Sequence, residues 1–140
     1  MIIIKLLLLS NVLTFGIISF GNTYQPKFNI DNLILLLESS EEDFENQLNK
    51  IDTGWKRVSN SKNPGRTYSN GALIISKPSD RELVFIDQSK TNHKFLNYIR
   101  SLNSKPTKEN DFYYFNYKEK YLIYYTDKLS PVSILVNKVY

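Results

Sequence analysis

The chain offers little that could do covalent chemistry. His93 is the one imidazole, and there is no cysteine. A general base or a metal ligand needs companions within reach, and Asp87 is the only carboxylate near His93 along the chain. His93 also falls in the first turn of an expected helix, where a polar side chain faces water. Serine nucleophiles need a base and an activating frame. No Gly-x-Ser-x-Gly occurs, and no Ser-x-x-Lys occurs where a helix would align the pair. The five glycines form neither a Walker loop nor a dinucleotide fingerprint. The acidic run Glu41–Asp43 lacks the alternating ligands and central glycine of a calcium loop. Carboxylate pairs of the glycosidase kind are not singled out among fourteen acids. The residues point to a non-catalytic protein with no cofactor and no metal.

Aromatic side chains are the more informative group. Six of the ten tyrosines lie between residues 113 and 125. Strand alternation puts Tyr113, Phe115 and Tyr117 on one face, and Tyr114, Asn116 and Lys118 on the other. On the next strand Tyr121, Ile123 and Tyr125 oppose Leu122 and Tyr124. Exposed tyrosines give large contact area at low entropy cost, which suits protein or glycan recognition. The candidate binding residues are therefore Tyr113, Tyr117, Tyr121 and Tyr125, with Lys118 and Lys120 beside them, on a sheet face that helices leave open. The plainer alternative is that tyrosine is a good cross-strand residue.

Elements to position these residues can be read in order. Asn29 or Asp31 can cap a helix through Glu38, with Leu33, Leu36 and Leu37 on its buried face. Ser39-Ser40-Glu41-Glu42 has the form of a capping box, and Phe44, Leu48 and Ile51 continue one helical face. Gly54 is a natural stop. Trp55–Ser59 is expected as a strand, with Trp55 in the core. Asn60–Arg66 is expected as a loop. Thr67–Ser69 and Ala72–Lys77 flank Asn70-Gly71, either a hairpin turn or a bulge within one longer strand. Pro78-Ser79-Asp80 reads as a turn and Glu82–Asp87 as a strand. A helix from Ser89 or Thr91 to Leu102 buries Phe95, Ile99 and Leu102. Asn103–Asn110 reads as a polar loop. Phe112–Lys118, Tyr121–Thr126 and Val132–Tyr140 are aromatic and β-branched, hence strands. The expected fold is α+β, an antiparallel sheet with helices packed on one face and a possible α-β-β-β repeat.

Residues 1–21 carry the marks of export: Lys5, an apolar stretch Leu6–Phe20, then Ser19 and Gly21 placed for signal peptidase. A cut after Gly21 leaves an N-terminal arm, residues 22–29, and one domain, residues 30–140. The alternative is a retained anchor, since a spanning helix needs roughly 20 apolar residues. The expected location is the periplasm or the extracellular space, with no membrane contact after cleavage. Without cysteine there is no disulfide framework.

Asn, Ile, Lys and Tyr make 53 of the 140 residues, the mark of an AT-rich genome. Residues 22–140 carry seventeen basic and fourteen acidic side chains, unevenly spread. Residues 31–52 have a balance of −6 and residues 53–140 of +8. The acidic stretch reads as a solvated helix face with a favourable dipole. The basic body raises nucleic acid as a partner, but its four arginines are scattered and export argues against it.

The signal-like start, Asp31-Asn32-Leu33-Ile34, Phe44 to Trp55 (FENQLNKIDTGW) and the Tyr-rich hairpins closing on Ser133–Tyr140 resemble small exported bacterial proteins of unknown function from AT-rich Gram-negative genomes. Their helix-then-hairpin units are similar to β-lactamase-inhibitory-protein-like folds. That resemblance implies an inhibitory or immunity-like role and assigns no residue a part in it. The function expected is a protein-binding or inhibitory module with a protein partner. The alternative is a structural, envelope-associated protein held by an uncleaved N-terminus, and a small hydrolase ranks behind both.

Overall fold

The protein is represented by a computed structural model that describes residues 24–58, 66–128 and 131–140. The expected export segment, residues 1–21, and the expected Asn60–Arg66 loop up to residue 65 lie outside these residues; Arg66 belongs to a strand.

Helix α1 (Ile30–Glu38) begins as its sequence predicts. Asn29 is the N-cap, and its side chain accepts the Asn32 N–H at 2.9 Å, satisfying one of the free donors of the first turn. Ile30, Leu33, Leu36 and Leu37 are buried. Ser39 closes the helix: its backbone N–H and its hydroxyl both donate to the Leu36 carbonyl, at 3.3 and 2.7 Å. That use of Ser39 displaces the expected capping box by one residue. Ser40 takes over, its hydroxyl accepting the Asp43 N–H at 3.3 Å. Helix α2 (Phe44–Ile51) then buries Phe44 and Leu48. Gly54 follows at φ +85°, a conformation that side-chain-bearing residues avoid.

The first meander comprises β1 (Lys56–Arg57), β2 (Arg66–Ser69), β3 (Leu73–Ser79) and β4 (Glu82–Asp87). Asn70-Gly71 is a true hairpin loop, because β2 and β3 pair antiparallel with Ser69 opposite Ile74. The Asn70 side chain accepts the Leu73 N–H at 3.1 Å, and Gly71 takes φ +98°. Pro78 lies inside β3 rather than opening a turn. The register slips between Ser76 and Ser79, as expected where a residue without an N–H meets a ladder.

Helix α3 (Asn92–Leu102) buries Phe95, Leu96 and Ile99. The second meander is β5 (Thr107–Glu109), β6 (Phe112–Tyr117), β7 (Tyr121–Thr126) and β8 (Val132–Lys138). Strand β5 falls in a stretch whose polar residues and Pro106 read as loop; its pairing with β6, not its own composition, makes it a strand. Each helical segment thus leads into four strands where three were expected.

The eight strands of the described residues form one antiparallel sheet in the order β1-β2-β3-β4-β8-β7-β6-β5. The two meanders run inward from opposite edges and join where β4 pairs β8. The α+β class and the antiparallel sheet are as the sequence predicts. Helix α1 lies on β4 and β8, and α3 lies on β8, so the helices occupy one face over the central seam.

Alternation sorts the side chains cleanly. Ile75, Leu83, Phe85, Val132, Ile134, Val136, Phe115 and Ile123 point under the helices and are buried. Phe85 stacks on Phe28 at 5.4 Å and meets Phe95 edge-on at 5.1 Å. Trp55, 8% exposed, completes this cluster edge-on to Phe28, as its expected place in the core requires. Phe85→Ala is expected to cost about 3–5 kcal/mol in urea unfolding. Leu35→Ala, on the solvent side of α1 and 49% exposed, should change stability by no more than about 0.5 kcal/mol.

Candidate functional site

Two tyrosine sets separate across the sheet, and they do different things. Tyr113, Tyr117, Tyr121 and Tyr125, the expected binding residues, share the face that the helices cover. Tyr121 and Tyr125 are buried, at 8% and 3% exposure, and Tyr113 and Tyr117 are half-buried against the core. This corrects the expectation that they line the open face. The grouping by alternation holds, but the covered face is the opposite one. Aromatic residues occupy both faces of β6 and β7, so composition does not mark which side the helices take.

The covered tyrosines fasten α1 to the sheet. The Tyr117 hydroxyl donates to Asp31 at 2.9 Å, and the Tyr121 hydroxyl donates to Glu38 at 2.8 Å. Asp31 and Glu38 are two helical turns apart, so both project from the same side of α1. Tyr98 on α3 completes the set, its hydroxyl accepting the Ile30 N–H at 3.0 Å. Two lysines back the carboxylates: Lys118 reaches Asp31 at 2.7 Å and Lys138 reaches Glu38 at 2.8 Å. Lys118 is therefore an ion-pair partner of α1 and lies over the Tyr117 ring. Lys120 is exposed in the β6–β7 turn, where its carbonyl accepts the Val139 N–H at 2.8 Å.

These contacts also account for much of the charge asymmetry. Of the seven acids between residues 31 and 52, Asp31, Glu38, Glu41 and Asp52 pair with Lys118, Lys138, Arg66 and Lys27. The acidic stretch is partly docked on the basic body instead of being wholly solvated. Lys77, buried on β3, donates to the Ser39 carbonyl at 2.7 Å and so caps the end of α1. Burial pushes the Lys77 amine below its ordinary value, against the opposing pull of Asp80.

Among the described residues no helix lies over the opposite face. Its central row runs Thr67, Ser76, Val84, Leu135, Tyr124, Tyr114 and Thr107 across seven strands. A second row places Ile74 and Ile86 beside Ser133, and Phe112 opposite Thr126. Tyr114 and Tyr124 pack together across the strands at 5.3 Å, and Phe112 is 48% exposed. Lys56 on β1 and Glu109 on β5 end the second row, and between them these rows carry no charged side chain. Residues of β4, β7 and β8 line one groove of about 480 Å³ with the β5–β6 turn, including Val84, Leu135, Tyr124, Phe112 and Glu109. The open face is therefore concave there. Sequence reasoning missed Phe112, Tyr114 and Tyr124 as candidates. The available signal was the uncharged alternate set Ser133, Leu135 and Asn137 on β8, beside Val84 and Ile86 on β4.

His93 is exposed. Among the described residues no three metal-ligating side chains come together, and no helix is long and apolar enough to cross a membrane. Comparison with protein-family models, with curated proteins and with solved structures finds no significant match.

The clamp on α1 gives stability a definite pH dependence. Hydrogen bonding and charge from Lys118 hold the Asp31 carboxyl below its ordinary 3.8, helped by Tyr117. Lys138 and Tyr121 hold Glu38 below its ordinary 4.5. Carboxyls lowered by folding stabilise above their unfolded values, and that contribution is lost as pH falls through the folded ones. Tyr117 and Tyr121 are pushed up to about 12, first by burial and then by their carboxylate partners. A phenol raised by folding stabilises below its ordinary value of 10 and loses that contribution as pH rises to about 12. In urea unfolding, Tyr117→Phe/Tyr121→Phe is expected to cost about 1–2 kcal/mol near neutrality and to flatten the decline between pH 10 and about 12. Asp31→Asn/Glu38→Gln should flatten the decline below about pH 4.

Proposed function

We propose that this chain is an exported, non-catalytic protein-binding module, and that it meets its partner with the open face of the sheet. One observation carries this reading. The sheet's uncovered side is uncharged across its central rows and apolar at Ile74, Val84, Ile86, Leu122, Tyr124 and Leu135. Nearly a quarter of the whole chain is charged, so a solvated sheet face is expected to carry Lys and Glu at alternate positions. Large apolar patches on folded proteins mark interaction sites.

The partner fitting this face is another protein with a convex apolar surface. Such a contact seats Phe112 and Tyr124 as central aromatic anchors in the groove, with Glu82 and Glu109 at the rim. A standard interface buries roughly 800 Å² per partner, and a face seven strands wide supplies it. The signal-like start of the sequence supports export to the periplasm or beyond. The resemblance to β-lactamase-inhibitory-protein-like folds supports an inhibitory or immunity-like use of the same face. The candidate binding residues move accordingly from the covered tyrosines to Phe112, Tyr114 and Tyr124.

Capture by the tagged chain from envelope and secreted fractions of the producing cells, read by mass spectrometry, tests this. A stoichiometric protein partner is expected. Phe112→Lys and Tyr114→Lys should weaken its capture at least about tenfold while shifting stability by less than about 1 kcal/mol. A partner retained by both variants would overturn the assignment of the face. Self-association lost in the same variants would make a second copy the partner.

A further inference from the structure

A second cavity, of about 500 Å³, lies at the far end of the covered face. It opens where β4 gives way to α3, beneath the arm that precedes α1. Asp87, the last residue of β4, lines it and is 4% exposed. Phe28, Phe85 and Phe95 line it as the edge of the core cluster, none more than 3% exposed, beside the polar Gln25, Asn70, Ser89 and Thr91.

Asp87 is poorly compensated for a carboxylate so deeply placed. Its Oδ1 accepts the Ser89 N–H at 2.8 Å, a local turn bond that uses one of about four acceptor positions. Among the described residues no lysine, arginine or histidine lies within ion-pair distance of it. The one cation on the cavity wall, Lys27, is paired with Asp52 at 3.2 Å. The cavity thus keeps one uncompensated negative charge, although the whole chain carries +4. A buried carboxylate without a counter-charge is strongly disfavoured, and a cation beside it removes the penalty.

The surroundings select the kind of cation. A hard metal ion takes six or more oxygen ligands, and among the described residues no three carboxylate, imidazole or thiol side chains come together to hold one. An organic cation needs a single carboxylate for its N–H groups and apolar walls for its hydrocarbon, and it is attracted to aromatic faces as well. The volume falls in the range of small-molecule sites. We propose that this cavity binds a small organic ammonium ion, with Asp87 as its counter-charge and its apolar body against Tyr24, Leu73 and the edge of the Phe28, Phe85 and Phe95 cluster. The site is separate from the open face of the sheet. Tyr24 stands at its mouth, and its phenol is raised above the ordinary value by burial and by the charge of Asp87. The carboxylate's field therefore reaches the entrance.

Calorimetric titration of the full chain with 2-phenylethylammonium tests the proposal, with neutral 2-phenylethanol as the matched control. Saturable one-to-one binding of the amine is expected, at least about tenfold tighter than of the alcohol. Asp87→Asn should abolish that preference, since it keeps shape and the Ser89 acceptor but removes the charge. Tyr24→Arg is the second variant, should Asp87→Asn fail to fold. Its tethered guanidinium, at an exposed position, should occupy Asp87 and weaken amine binding at least about tenfold. No saturable binding, equal binding of the alcohol, or undiminished binding by Tyr24→Arg would overturn the proposal.

Discussion

Docking of α1 on the central seam is the contact on which the rest of the architecture depends. Strands β4 and β8 come from different meanders and meet only there. Helix α1 lies across both and buries Ile30, Leu33, Leu36 and Leu37 completely or nearly so. Each such side chain contributes about 1.5–3 kcal/mol by leaving water. The polar side of the same helix is held from three directions, by Tyr98, Tyr117 and Tyr121. Apolar burial sets the strength of this contact, and the three hydroxyls and two carboxylates fix the helix's position along the sheet.

From that contact follows the two-sidedness of the molecule. Among the described residues, three helices of nine, eight and eleven residues lie on one side of an eight-stranded sheet. Large aromatics help fill the covered face: Tyr121 and Tyr125 are buried there, and Tyr113 stacks on Tyr125. The other face is apolar and has no cover among the described residues. Neutral side chains there cost solubility in an isolated protein, and a partner that buries them removes that cost. The ion pairs point the same way: the acidic stretch is docked on the basic body, so the charge contrast of the sequence is partly satisfied within the chain.

Much of the fold was legible, and the reasons for the misses are specific. The periodicity of Leu33, Leu36 and Leu37, and of Phe95 and Ile99, identified helices and their buried sides. The β-branched and aromatic runs located β4, β6, β7 and β8. Strand β5 was not legible, because Thr107-Lys108-Glu109 has no apolar residue and is a strand only by pairing. The Ser39 cap was misplaced because two adjacent serines compete, and the end of α1 claims the first. Which tyrosine face is covered was not legible at all. Alternation divides residues into two sets, but assigning a set to the core needs the helix's position, and that depends on Asp31 and Glu38 meeting tyrosines more than eighty residues away.

Tyrosine nitration of the folded chain, mapped residue by residue by mass spectrometry, tests the two-faced sheet most directly. Modification of Tyr114 and Tyr124 on the open face is expected, with Tyr121 and Tyr125 spared until the chain unfolds. Modification of Tyr121 and Tyr125 in the folded protein, with Tyr114 and Tyr124 protected, would contradict it.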